Sequence, residues 1–127
     1  MLNWTELTQL NETVVDRVIR RLPAVDRAYE LHRERLRADG IAVESYIRDT
    51  VMGGRPTALT ENNFPYMVPA DVRHMVYWMA AGAETSMADV RRRVAAELSA
   101  ADVVVFANSA GRRSVPGIEH YQVFVRG

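Results

Sequence analysis

The sequence predicts an α+β domain: a helical N-terminal half of about three helices packed on a small three-stranded sheet, in the order strand, helix, strand, strand. Two observations carry that expectation. Up to Gly53 the apolar residues recur at helical spacing, and beyond Asp71 they gather in short β-branched and aromatic runs. A capping-box signature separates the first of those runs from the second. Residues 1–127 read as a single domain, because no repeat, linker or low-complexity tract divides them and this length buries a core unaided.

Trp4, Leu7 and Leu10 are spaced as a first helix, with Thr5 as its start signal. Val14, Val15, Val18, Ile19 and Leu22 continue a helical stripe as far as Pro23. Val25, Ala28, Tyr29, His32 and Leu36 form the next stripe, closed by Gly40. Pro23 either opens a new helix at its first turn or kinks a continuous one. Val43, Tyr46, Ile47 and Val51 share one face of a third helix, which Gly53 and Gly54 stop.

GGRPTALTENNFPYMVPAD, residues 53–71, holds three prolines and two glycines and reads as an irregular connection. At 19 residues it exceeds ordinary loop lengths, and long ordered loops are often functional. HMVYWMA, from His74, fits a buried strand. Ser86 and Asp89 then open a helix with the stripe Met87, Val90, Val94 and Leu98. DVVVFAN is a strand by β-branched content, and after SAGRRSVPG the run IEHYQVFVR is the last strand. A right-handed crossover would join the first two strands and a long-looped hairpin the last two.

Sixteen acidic and sixteen basic residues cancel, which argues against general nucleic-acid binding. All the basic residues are arginine, a matter of base composition or of a demand for planar bidentate donors. Without cysteine there are no disulfides, thiolate metal sites or cysteine nucleophiles. No apolar run reaches the roughly 18 residues of a membrane span, and no signal-peptide pattern opens the chain. The expectation is a cytoplasmic protein with a small-molecule ligand, no membrane association, and homodimerisation left open.

Alternation places His74, Val76 and Trp78 on one strand face, and Ile118, His120, Gln122, Phe124 and Arg126 on another. Each histidine follows an irregular loop. A pocket rimmed by residues 54–73 and 108–117 would gather Asn62, Tyr66, His74, Asn108, Arg112, Arg113, Ser114 and His120. Each also has a structural use. Asn62 caps turns well, His74 suits a hydrogen-bonded core position, and Asn108 suits a hairpin. Phe64, Pro65, Tyr66 and His32 fit ordinary packing. Arg112 and Arg113, in a Gly- and Ser-containing loop, offer guanidinium and backbone donors to an oxyanion, or simply face solvent. His120 is the best candidate for proton transfer or nucleophilic attack, because imidazole titrates near neutrality. His74 and His120 with Asp71 or Glu119 lack any metal-ligand spacing, so neither metal nor other cofactor is expected.

N-x-F-P-Y at Asn62, Phe64, Pro65 and Tyr66, H-M-V-Y-W from His74 to Trp78, and N-S-A-G-R-R-S-V-P-G-I-E-H from Asn108 to His120 together resemble a known pattern. It is that of DUF3605, a domain-of-unknown-function family of bacteria, fungi and large viruses. The likeness covers about residues 14–126. The family's late H-x-H becomes His120 and Gln122 here, and it brings no activity with it. The last segment is also similar to the histidine-triad nucleotide hydrolases and transferases, some of which end in H-x-Q. That likeness implies a His120 that attacks an α-phosphate and a Gln122 that steadies the phosphoryl oxygens. Ile118 stands where the first triad histidine belongs, and two residues are inserted before His120. The functional expectation is a small enzyme acting on an anionic, phosphorylated or nucleotide-like molecule through His120 and His74. Asn62, Tyr66, Asn108, Arg112, Arg113, Ser114 and Gln122 would bind that molecule. Its rival is a non-catalytic module that binds a small molecule or a protein.

Overall fold

The computed structural model describes residues 1–113 and 115–127. Along the chain run α1 (Trp4–Leu10), β1 (Val14–Val15), α2 (Pro23–Ala38) and α3 (Val43–Tyr46), which continues as a π-helical turn over Ile47–Val51. Then come β2 (Thr57–Glu61), β3 (Val72–Met79), α4 (Met87–Leu98), β4 (Asp102–Asn108), a 3-10 turn at Ala110–Arg112 and β5 (Glu119–Arg126). The sheet has five strands in the order β1-β4-β5-β3-β2, not the three expected. The chain is α+β, with two edge strands that the apolar pattern did not announce.

β1 replaces a predicted helix. Glu12 turns the chain with a positive φ of 57°. Beyond it, Ala107 N–H donates to Thr13 O (3.1 Å) and Ser109 N–H to Val15 O (2.9 Å), so the segment runs parallel to β4. The free edge of β4 offers unpaired backbone groups, and pairing with them wins over a local helical period that would have left them bare. Val18, counted in the helical stripe, is 69% exposed. β2 lies inside the supposed irregular connection and pairs antiparallel with β3, Thr57 opposite Met79 through Glu61 opposite Met75.

The other elements follow their local signals. α1 starts at Asn3, not Thr5: Asn3 Oδ1 accepts from Glu6 N–H and Glu6 Oε1 accepts from Asn3 N–H. Pro23 opens α2 rather than kinking a longer helix. Gly53 and Gly54, both at positive φ (61° and 73°), end the π turn where a side chain would be strained. Ser86 Oγ accepts from Asp89 N–H at 3.1 Å and caps α4. α4 carries the chain from β3 to β4, and β5 inserts between those strands antiparallel to both.

The sheet therefore has two covered faces. α4 lies on one, where Val90, Val94, Val105 and Val123 are fully buried beside Met75, Met79, Val103 and Val125. Each such side chain contributes about 1.5–3 kcal/mol by leaving water. The N-terminal elements cover the other face. α2 buries little beyond Leu36 and is a loosely seated cover, with a cavity between it and the sheet. Among the described residues, no helix is long and apolar enough to cross a membrane.

Candidate functional site

On the face under α2 and α3 the register sets Trp78 opposite His120, Val76 opposite Gln122 and His74 opposite Phe124. Thr60 on β2 stands opposite Val76. One apolar cluster lies to one side, with Leu7, Val104, Phe106 and Phe124; a second, with Ile47, Met52, Trp78 and Ile118, lies to the other. The buried polar residues His74, Asn108, His120 and Gln122 are all on this face. None is on the α4 face.

His74 is locked by the main chain. Its Nδ1 accepts the Tyr66 backbone N–H at 3.0 Å, so Nδ1 carries no proton and the neutral ring bears its proton on Nε2. That Nε2–H donates to Gln122 Oε1 at 2.7 Å. The Asn62 amide is fixed as well, because its Oδ1 accepts Phe64 N–H at 2.8 Å and leaves Nδ2 as donor. The 3.4 Å between Asn62 Nδ2 and His74 Nε2 therefore joins two donors and is a contact, not a hydrogen bond. Burial pushes His74 down to about 3, against the hydrogen bond it donates to Gln122, which raises it, and with the Arg21 charge lowering it further. Such a ring stays neutral across the physiological range and has no lone pair to offer a substrate.

His120 is set the opposite way. Its Nδ1–H donates to Ile118 O at 2.8 Å, which leaves an unprotonated Nε2 with no partner among the described residues. The imidazole lies against the Trp78 indole, ring centres 4.7 Å apart. Burial lowers its pKa; the Ile118 carbonyl opposes that, Arg113 adds to it and Glu119 opposes it. At neutral pH the ring is uncharged, the form that takes a proton or attacks an electrophile.

A cavity of about 170 Å³ opens over this part of the sheet, lined among others by Thr60, Asn62, Val76, Trp78, His120 and Gln122. No fully enclosed side-chain nitrogen or oxygen lacks a partner among the described residues. The free His120 Nε2 and the Gln122 amide nitrogen therefore meet open space, and the cavity both residues line provides it. Because Gln122 gives its oxygen to His74, it presents N–H donors there. Thr60 Oγ1 accepts Trp78 Nε1–H at 3.1 Å, so its own proton is free to donate.

The roof comes from helices that the sequence left out of the site. Tyr29, His32 and Arg33 on α2, Val43 and Tyr46 on α3, Phe64 and Arg21 complete the walls. Phe64 packs edge-on against Tyr29 (5.1 Å), and His32 against Tyr46 (5.0 Å). Arg21 donates from Nε to Phe64 O at 2.7 Å and lies over the rings of Tyr29 (4.9 Å) and Tyr66 (5.1 Å). Its only close carboxylate among the described residues is Asp26 at 3.8 Å, and Arg33 has none within 4.0 Å. Glu61, at the rim, is held by Arg73.

The two predicted arginines lie elsewhere. Arg112 is exposed and pairs with Asp16 at 3.5 Å. Arg113 bonds Asn108 O at 3.2 Å and Glu119 at 2.9 Å. Neither lines the cavity, because the 3-10 turn directs them to the β1 side and to the start of β5. Tyr66 and Asn108 hold each other, Asn108 Nδ2 donating to Tyr66 Oη at 2.8 Å, and are also outside it. His74 borders a separate hollow with Tyr66 and Pro65, so the histidines share a face but not a chamber. Ser114 lies outside the described residues. Asn62, His120 and Gln122 do come together. The missed wall residues left one trace: Tyr29, His32 and Arg33 are spaced to share a helix side with Val25 and Leu36. Among the described residues, no three His, Asp or Glu side chains converge as a metal site would require.

No family model matches this chain, and no curated protein matches it. Among solved structures, a crystal structure of a protein named HTC1 is similar in fold. The TM-score is 0.60 over 97% of this chain and 79% of that one, at 20% identity. That likeness extends over nearly the whole chain and concerns the fold alone.

Proposed function

We propose that this chain is a small enzyme acting on an anionic molecule in the cavity beneath α2 and α3, with His120 as general base or nucleophile. One observation carries the reading: a buried, neutral imidazole whose Nδ1–H is held by a main-chain carbonyl and whose Nε2 lone pair faces open space. Fixing one ring nitrogen to orient and activate the other is how imidazole is prepared for proton transfer. Arg21 and Arg33 give the roof a positive character suited to a carboxylate or phosphate. His74 becomes a positioning residue, because its proton holds the Gln122 amide. Asn62, Phe64, Trp78 and His120, which belong to the motifs noted in the sequence, border this cavity.

A binding module without chemistry is the second reading. It is favoured by the group behind His120, a carbonyl rather than a carboxylate, which stabilises an imidazolium less. Mixtures of carboxylated and phosphorylated single-ring compounds, followed by proton and phosphorus NMR, separate the two. The enzyme reading expects a component to be consumed by the native protein and at least about 100-fold more slowly by His120→Ala. The melting temperature should change little, since the ring already borders a cavity. A component bound but not consumed, or consumed equally by the variant, overturns the catalytic role.

A further inference from the structure

The cavity's polar atoms are specific enough to describe what would fill it. This rests on the reading of the cavity as the ligand site, and names the ligand's chemistry. His120 and Gln122 are neighbours on one face of β5, both more than nine-tenths buried, at 5% and 6% exposure. Each has a nitrogen without a partner among the described residues and lines the same space, and the two nitrogens have opposite character. His120 Nε2 accepts, because its proton sits on Nδ1 against Ile118 O. The Gln122 nitrogen donates, because its oxygen is taken by His74 Nε2–H. That pattern is imposed by backbone groups, the Tyr66 N–H and the Ile118 carbonyl, and neither can reverse its role.

An acceptor beside a donor is complementary to a donor beside an acceptor. The smallest group of that kind is a lactam edge, a ring N–H next to a ring C=O. The space agrees with a ring. A cavity of about 150 Å³ takes up benzene, and this one measures about 170 Å³. The flat side chains of Trp78 and Phe64 stand in its walls, with the aliphatic Val76 and Val115 beside them. Thr60 adds a further donor beside Val76, and Arg21 and Arg33 stand in the roof. We infer that the cavity takes a planar, single-ring lactam, such as a pyrimidinone, bearing a carboxylate or phosphate on the side away from the lactam edge. His120 would accept the ring N–H and Gln122 would donate to the carbonyl.

Four probes test it by calorimetry on the native protein: uracil-6-carboxylate, its N3-methyl derivative, uracil and benzoate. In the first, the carboxylate lies across the ring from N3–H, as the site requires. The expected result is tightest binding of uracil-6-carboxylate, with each of the other three at least about tenfold weaker. Gln122→Glu keeps an oxygen for His74 and replaces the cavity-facing donor with an acceptor, so it should also weaken binding at least about tenfold. Equal affinity for the N3-methyl compound, or for benzoate, overturns the lactam assignment and leaves the cavity as an anion site. Binding of none of the four overturns the assignment together with the reading of the cavity. Uracil-6-carboxylate that binds as expected but is not consumed supports the assignment and removes only the catalytic role.

Discussion

The two faces of the sheet are built from the same strands and reach different ends. Under α4, the core side chains that β3, β4 and β5 contribute are valine, methionine and tyrosine, and the packing is closed. Under α2 and α3, the alternate positions of β3, β4 and β5 hold His74, Asn108, His120 and Gln122 between two apolar clusters. A buried polar group without a partner costs about 1–3 kcal/mol, and among the described residues none is left so: the polar groups of this face are hydrogen-bonded or open onto the cavity. The second face holds polar groups in place where the first packs hydrocarbon. Its cover differs too: α4 buries Val90 and Val94 completely, whereas α2 buries mainly Leu36.

The contrast can be broken in order of expected effect. The largest comes from Val94→Asp on the closed face, which places a carboxylate where no partner exists. We expect a loss above about 4 kcal/mol, seen as a chain without a cooperative thermal transition. His74→Ala, on the open face, strands the Tyr66 N–H and the Gln122 oxygen and leaves a void beside Phe124. Chemical denaturation should register a loss of about 3 kcal/mol.

Acid gives the next effect. The folded chain holds His74 near 3 against an ordinary 6.5, so below about pH 6.5 the unfolded chain binds one more proton. The stability from its neutral burial is whole above 6.5 and is lost as the pH falls towards 3. Between pH 7 and 5 that amounts to a fall of about 2 kcal/mol, measurable as a midpoint shift in urea and diminished in His74→Gln. His120→Ala is the smallest perturbation of stability and the largest of ligand chemistry. An equal loss of stability at His120 and at His74 would erase the distinction between a positioning ring and a functional one.

The closed face was easier to read than the open one. DVVVFAN, HMVYWM and YQVFV announce strands whatever surrounds them, and Ser86 with Asp89 marks α4 by chemistry confined to one turn. β1 was not legible: Val14 and Val15 fit a helical stripe as well as a strand, and only the distant edge of β4 decides between them. β2 was half legible. Thr57-Ala-Leu-Thr-Glu61 is a strand-like run between Pro56 and Asn62, and a structureless connection of 19 residues was itself a sign that an element had been overlooked. At the site, alternation placed His74, His120 and Gln122, because a strand fixes direction with a period of two. Arg112 and Arg113 were misplaced because a 3-10 turn aims neighbouring side chains apart. Arg21 and Arg33 stayed hidden because which helix covers a sheet is a tertiary outcome that no local spacing encodes.

Two imidazoles of one face hold opposite tautomers for opposite purposes. Long-range nitrogen NMR of the histidine rings at neutral pH, with signals assigned by His74→Gln and His120→Ala, reads this directly. His74 should carry its proton on Nε2 and show no titration above pH 5, while His120 carries its proton on Nδ1 and responds at Nε2 when ligand enters. A shared tautomer, or a His74 that takes up a proton near 6.5, would contradict it.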